Sequence, residues 1–262
     1  MNFIPPLFVS HGSPMLAVEA SRTGAAWAAL GRELPKPRAI LAVSAHWTTA
    51  RPAVSAAPQP ETIHDFYGFP PALYDLAYTA PGAAGLAAEV QALVAGIGID
   101  ARRGLDHGAW VPLRFMYPAA DVPTVQLSVM PGADAEAHYR LGAALHLLAR
   151  DGALVLASGG LTHNLGDMVG DAPAGAVLPY VAEFRDWFAD ALARMDRASL
   201  LAWRTQAPHA ARAHPTPEHL LPLFVALGAA GESARAEPVH RDAQLGALAL
   251  DAYRFVAGAA PA

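Results

Sequence analysis

A chain of 262 residues with 53% hydrophobic content can fill one large α/β core. Its 18 basic and 23 acidic residues give a formal charge of -5 without a basic cluster to follow a phosphate backbone, which argues against nucleic acid as a partner. The absence of cysteine excludes disulfides, thiolate ligands, iron-sulfur clusters and a cysteine nucleophile, leaving imidazole, carboxylate and water to hold any metal.

No repeat or low-complexity segment divides the chain, so residues 1–262 are expected to form a single domain. Met1 to Pro6 lacks the basic segment and longer apolar core of a secretion signal. No stretch reaches the roughly 20 apolar residues that span a bilayer. A cytoplasmic protein with no membrane partner is the expectation.

In chain order, Pro6 to Ser10 reads as a buried strand running into His11-Gly12-Ser13-Pro14, followed by a helix from about Ser21 to Leu34 that Pro35 and Pro37 stop. Ala39 to Trp47 is a continuous apolar run that ends in His46 and Trp47, the pattern of a strand buried on both faces. The stretch from Pro58 to Pro81 is an aromatic, proline-rich loop able to wall a pocket for a flat ligand. Gly82 to Gly96 reads as a helix and Ile97 to Arg103 as a short strand. The polar stretch Leu105 to Trp110 then leads into Val111 to Met116.

Thr124 to Val129 is a strand, Asp134 to Arg150 an amphipathic helix, and Ala153 to Ser158 a strand that runs into Leu161-Thr162-His163-Asn164. A long helix is expected from Leu178 to Arg194, a shorter one around Leu200 to Thr205, and a last strand within Ala247 to Val256. Thr216 and Pro217 suit the N-cap and first position of a helix running to Ala229, which places His219 in its first turn. Alternating strands and helices imply an α/β domain with a mixed, largely parallel central sheet and helices on both faces.

Three of the eleven histidines, His11, His46 and His163, follow strongly apolar strands, and ligands in open α/β sheets gather beyond the carboxyl ends of strands. Three imidazoles there can fix a divalent metal and leave coordination positions open. The alternative is buried histidines bonded to backbone. His214 and His219 compete for the next place at the metal, with His219 preferred for its helix-start position and Glu218 a possible carboxylate. His107, beside Asp106, reads as an acid/base or substrate-orienting group or as a helix cap; His64, beside Asp65, is similarly open. His138, His146, His209 and His240 are expected at the surface or in polar connections.

Ser10-His11-Gly12-Ser13-Pro14-Met15, Val43 to Trp47, Thr62 to Pro70, Asp106 to Trp110, Val125 to Ser128, Ala157 to Leu165 and Pro215 to Leu223, in this order, resemble the DODA-type extradiol aromatic ring-opening dioxygenases, the DOPA 4,5-dioxygenase-like branch of the class III extradiol enzymes. The resemblance implies a single α/β domain with one metal ion, bound by His11, His46 and His219, with His163 either a fourth ligand or the acid/base residue. His219 stands where better-known class III enzymes place a glutamate, so the site accepts Zn(II) at least as readily as Fe(II). It further implies a catechol-type substrate and O2. His163 is then the first choice for proton transfer and His107 the second. His64, Phe66, Trp47 and Trp110 are expected to stack on or enclose the ring, or else to complete the core.

Two other readings compete: a zinc hydrolase that activates water at the same histidines, and a non-catalytic binding protein of the same fold. Ser13 and Ser158 lack the nucleophile-elbow pattern, and Gly159-Gly160 lacks the spacing of a dinucleotide loop.

Overall fold

The computed structural model describes residues 3–258, so both extremes of the single domain expected over 1–262 lie outside the described residues. The first half opens with β1 (Leu7–Ser10), α1 (Arg22–Glu33) and β2 (Ala39–Thr48), close to the expected bounds. Ser21 caps α1 by accepting the amide of Gly24 at 3.0 Å. Next come β3 (Ala53–Ser55), α2 (Pro71–Tyr74), α3 (Ala84–Leu93) and β4 (Gly98–Asp100). The polar stretch before Val111 is the first turn of α4 (His107–Met116), because the Asp106 carboxylate accepts the amide of Ala109 and starts the helix there.

After β5 (Thr124–Val129), the helix expected over Asp134 to Arg150 divides into α5 (Ala135–Ala144) and α6 (His146–Arg150). The chain tightens at Leu145, whose amide reaches Gly142 O at 2.8 Å, and the His146 ring then bonds Ala229 O at 2.8 Å. β6 (Ala153–Gly159) precedes α7 (Pro179–Ala193), α8 (Arg197–Leu201), α9 (Trp203–Gln206), α10 (Ala210–Ala213) and α11 (Leu221–Ala230). The chain closes with β7 (Arg235–His240), β8 (Ala243–Gln244), β9 (Leu248–Ala249) and β10 (Ala252–Val256). β3, β7 and the short β8–β9 pair carry too few apolar residues to stand out in the sequence.

One expected boundary is corrected. Thr216 does not cap a helix: its hydroxyl donates to Glu218 Oε1, and α11 begins only at Leu221, so His219 sits in the turn before it. That turn is held elsewhere, since His219 O accepts the amide of Gly160 at 2.8 Å at the end of β6. The approach is so close that a Cβ on Gly159 would lie 2.0 Å from the same carbonyl.

Eight strands form one sheet in the order β4-β3-β5-β2-β6-β1-β10-β7. β5, β2, β6 and β1 run parallel, while β10, β7 and the β3–β5 contact are antiparallel. Alternate residues of the central strands serve opposite layers. Leu41, Val43, Val155 and Ala157 pack with α3, α5, α7 and α11; Ile40, Ala42, Leu154 and Leu156 pack with α1 and α4. Burial on both faces explains why these strands read as unbroken apolar runs. Parallel pairing brings the carboxyl ends of β1, β2 and β6 to one rim. No helix among the described residues is long and apolar enough to cross a membrane.

A candidate metal centre and its cavity

His11 leaves β1 one residue beyond its end, and its amide donates to Gly159 O at 2.9 Å. His46 lies near the end of β2, where the register against β5 shifts between Val43 and Thr48, so the residue is freed from the regular ladder. The turn before α11 delivers His219. The Nε2 atoms of His11 and His46 are 2.9 Å apart, and those of His46 and His219 are 3.3 Å apart.

The other ring nitrogen of each is engaged. Nδ1 of His11 meets Ser158 Oγ at 3.0 Å, Nδ1 of His46 meets Asp65 Oδ2 at 3.2 Å, and Nδ1 of His219 meets Glu218 Oε1 at 3.2 Å. The carboxylates on His46 and His219 can only accept, so those rings carry their proton on Nδ1 and present bare Nε2 lone pairs to the centre. Burial pulls all three below the ordinary histidine range, His46 to about 4 and His11 and His219 well below it, with the neighbouring imidazoles adding to the effect. Neutral imidazoles in this geometry fit a cation. A metal–nitrogen bond of ~2.0–2.1 Å, at angles between right and tetrahedral, separates its nitrogens by ~2.9–3.4 Å.

His163 takes a different position. Its ring lies flat on that of His219, with centroids 3.4 Å apart and planes within 4°. It groups with Glu218 and His219 rather than with His11 and His46. A lone pair lies in the plane of its ring, and because that plane is parallel to and stacked on the ring of His219, the lone pairs of the two rings do not converge. Burial draws His163 down to about 4, and it is therefore neutral near pH 7.

His107 is the first residue of α4. Asp106 fixes that start as a fully buried carboxylate that accepts from Ser44 Oγ (2.6 Å), Arg103 (2.7 Å) and Gln126 Nε2 (2.7 Å). Asp65, from the aromatic loop, then binds His107 twice through Oδ1, at the amide (2.9 Å) and at Nδ1 (3.0 Å). One carboxylate thus bridges His46 and His107. Burial alone would raise its pKa, but the His107 hydrogen bond and the nearby imidazoles outweigh this and hold it at about 2. Neither Asp65 nor Ser158 is expected from the sequence to orient a histidine. A carboxylate flanked by His64 and Phe66 in a loop poor in charge was the available signal.

The histidines open into a cavity of about 430 Å³ lined also by Asp65, Phe66, Phe69, Leu165, Met168 and Leu248. Phe66 lines this cavity. His64, Trp47 and Trp110 do not line it. His64 Nε2 bonds Leu76 O (3.0 Å), Trp110 Nε1 donates to Ile63 O (3.0 Å), and Trp47 lies under the Arg103 guanidinium. Trp110 belongs to the core behind the wall, Trp47 is buried, and His64 is half-buried beside Phe66 and Trp110. His214 is also excluded from the centre: fully buried, its Nε2 bonds Leu161 O at 2.9 Å. His138, expected at the surface, is fully buried and ties Met130 N to Asp134 O.

A family model described as the catalytic LigB subunit of aromatic ring-opening dioxygenase matches residues 5–249. The chain belongs to this family. It is a DODA-type extradiol dioxygenase, 43% identical to a 4,5-DOPA dioxygenase extradiol of Beta vulgaris over 97% of both chains. A 4,5-DOPA dioxygenase extradiol of Escherichia coli K12 is 40% identical over 86% of this chain and 85% of its own. A crystal structure of an uncharacterized Escherichia coli K12 protein superposes with a TM-score of 0.82 at 31% identity, covering 96% of this chain and 99% of that one.

Proposed function

We propose that this dioxygenase opens catechol-type rings with O2 at one divalent metal ion held by His11, His46 and His219. The observation that carries the reading is the convergence of the Nε2 atoms of His11, His46 and His219 beside a cavity that His11 and His46 line together with Phe66 and Phe69. The all-nitrogen donor set accepts either zinc or iron. Ferrous iron, when bound by these histidines, would relay electrons from the catechol to dioxygen and offer open positions to both reactants.

The chain supplies the rest. Phe66 and Phe69 sandwich or edge the aromatic ring and keep water from it. His163 lines the cavity as a neutral base, takes a proton from a catechol hydroxyl, and returns it as an acid when the oxygen–oxygen bond breaks. We assign it this role, and not a fourth ligand position, because its ring is parallel to that of His219. His107 is the second proton-handling group. With Nδ1–H committed to Asp65, its Nε2 is left as an acceptor, and the carboxylate stabilises the charge that proton transfer creates.

Anaerobic loading with Fe(II), followed by catechol and air, tests the reading. Oxygen uptake and a yellow ring-opened product are expected, and zinc-loaded protein should be silent. Iron-loaded protein that consumes no oxygen with any catechol would overturn it.

A further inference from the structure

The histidine-lined cavity continues into an adjoining groove, because Ser13, Phe69 and Leu245 line both. This continuation offers a side chain on a bound ring a path out of the cavity. Beside Ser13 stands Gln244, from β8, which lines the groove. Its Oε1 accepts the amide of Ser13 at 3.0 Å. A main-chain N–H can only donate, so the carboxamide is turned with its oxygen toward that amide and its Nε2 away from it. Among the described residues Nε2 has no hydrogen-bond partner, yet it is not sealed in the interior, so its N–H groups are free to meet a ligand.

The donor is held in place from both sides. Gly12, the residue after His11, has φ +61°, and a Cβ on it would lie 2.7 Å from Gln244 Oε1, so only glycine admits the carboxamide this close to the loop. The hairpin that carries Gln244 is tied down in turn. Leu245 O accepts the amide of Val169 at 2.8 Å, and the Thr162 hydroxyl donates to Ala247 O (2.7 Å) and accepts the amide of Ala249 (2.8 Å). A donor fixed in this way needs little reordering to bind. The Ser13 hydroxyl accepts the Met15 amide at 3.3 Å and keeps its hydrogen to donate beside Nε2. Arg22, Glu19 and Asp242 also line the groove, with charges of both signs, so the two neutral donors at the junction decide what is held there.

Resting on the ring-cleavage reading above, we infer that Gln244 is a specificity-determining residue: its Nε2, with the Ser13 hydroxyl, donates to an oxygen acceptor, a carboxylate or carbonyl, on the side chain of the catechol. An ammonium cannot accept from either donor, and an alkyl end leaves both without a partner.

The test uses full-length protein in two forms. Zinc-loaded protein reports binding, through displacement of 4-nitrocatechol followed by its visible absorption; iron-loaded protein reports oxygen uptake. The probes are catechols with side chains of similar length: 3-(3,4-dihydroxyphenyl)propionate ends in a carboxylate, dopamine in an ammonium and 4-propylcatechol in a methyl group. Gln244→Glu keeps an oxygen for the Ser13 amide and puts an anion where the donor was. Affinity for the propionate relative to 4-propylcatechol should therefore fall at least about tenfold, and that for dopamine should rise. Gln244→Met keeps the length without the polar atoms; the propionate ratio should again fall about tenfold, with the dopamine ratio within about twofold of its starting value. In iron-loaded protein the loss for the propionate should appear in KM and not in kcat. An unchanged propionate ratio in either folded variant would overturn the inference, and continued oxygen uptake would leave the ring-cleavage reading standing. If no catechol supports oxygen uptake while the binding ratios shift as expected, the ring-cleavage reading fails and the role of Gln244 survives.

Discussion

The base of the cavity stands on strand ends and on the turn pinned to β6, whereas its roof hangs from loops. His11 and His219 are fixed by ring hydrogen bonds and by backbone contacts to the end of β6, and His46 by an ion-pair contact with Asp65. Phe66, Phe69, Leu165, Met168 and Leu245 come from connections and touch the cavity through apolar contact alone. On the proposed function, rigid elements carry the chemistry, which tolerates little displacement, while loops carry the choice of substrate, which can vary without disturbing it. Asp65 belongs to both, since a roof loop sends it down to orient two imidazoles at the base.

This contrast can be broken at several depths. The largest effect is expected for His219→Ala, which should abolish both metal uptake, measured by equilibrium dialysis with elemental analysis, and oxygen consumption. His163→Ala should lower kcat by ~10²–10⁴ while the protein still binds one metal per chain. A loss of metal in that variant would place His163 among the ligands. Asp65→Asn keeps the shape but weakens the hold on His46, and chelator competition should show a ~10–100-fold drop in metal affinity. If affinity is unchanged, the roof loop does not serve the base.

The buried scaffold beneath the site has its own signature. Burial draws His214 down to about 3, whereas it titrates near ~6.5 when unfolded. The unfolded chain takes the proton first, so stability is complete above the unfolded value and falls as the pH drops below it. Between pH 7 and pH 5 this residue should contribute about 2 kcal/mol to the loss of stability of the metal-free protein in urea unfolding, and His214→Gln should reduce the slope by that share while the other buried histidines keep theirs. The smallest effect is expected in the roof: Phe69→Leu should raise KM for an alkylcatechol by roughly threefold, with metal affinity unmoved. An equal loss of metal would erase the distinction between roof and base.

The central strands, α1 and α7 were legible because their signals are local: apolar runs, a serine cap, prolines beyond a helix end. The bounds of α11 were not, because Thr216 and Pro217 make a locally plausible helix start that a long-range contact from Gly160 to His219 O displaces. His138 reads as a surface residue by its helical position, yet it bridges Met130 and Asp134 from a buried site. The same limit applies to the two tryptophans, whose type suits a ring-binding wall and whose placement keeps them out of the cavity lining.

From sequence alone came three apolar strands ending in histidine, and with them an α/β sheet and a metal-capable rim, because strand burial and imidazole chemistry are properties of short segments. Only the tertiary structure decided which nitrogens meet, that Asp65 joins His46 to His107, that His163 lies flat on His219, and that Ser13 holds the Gln244 carboxamide. Those depend on strand order and on contacts between residues tens to hundreds of positions apart, which no local pattern encodes.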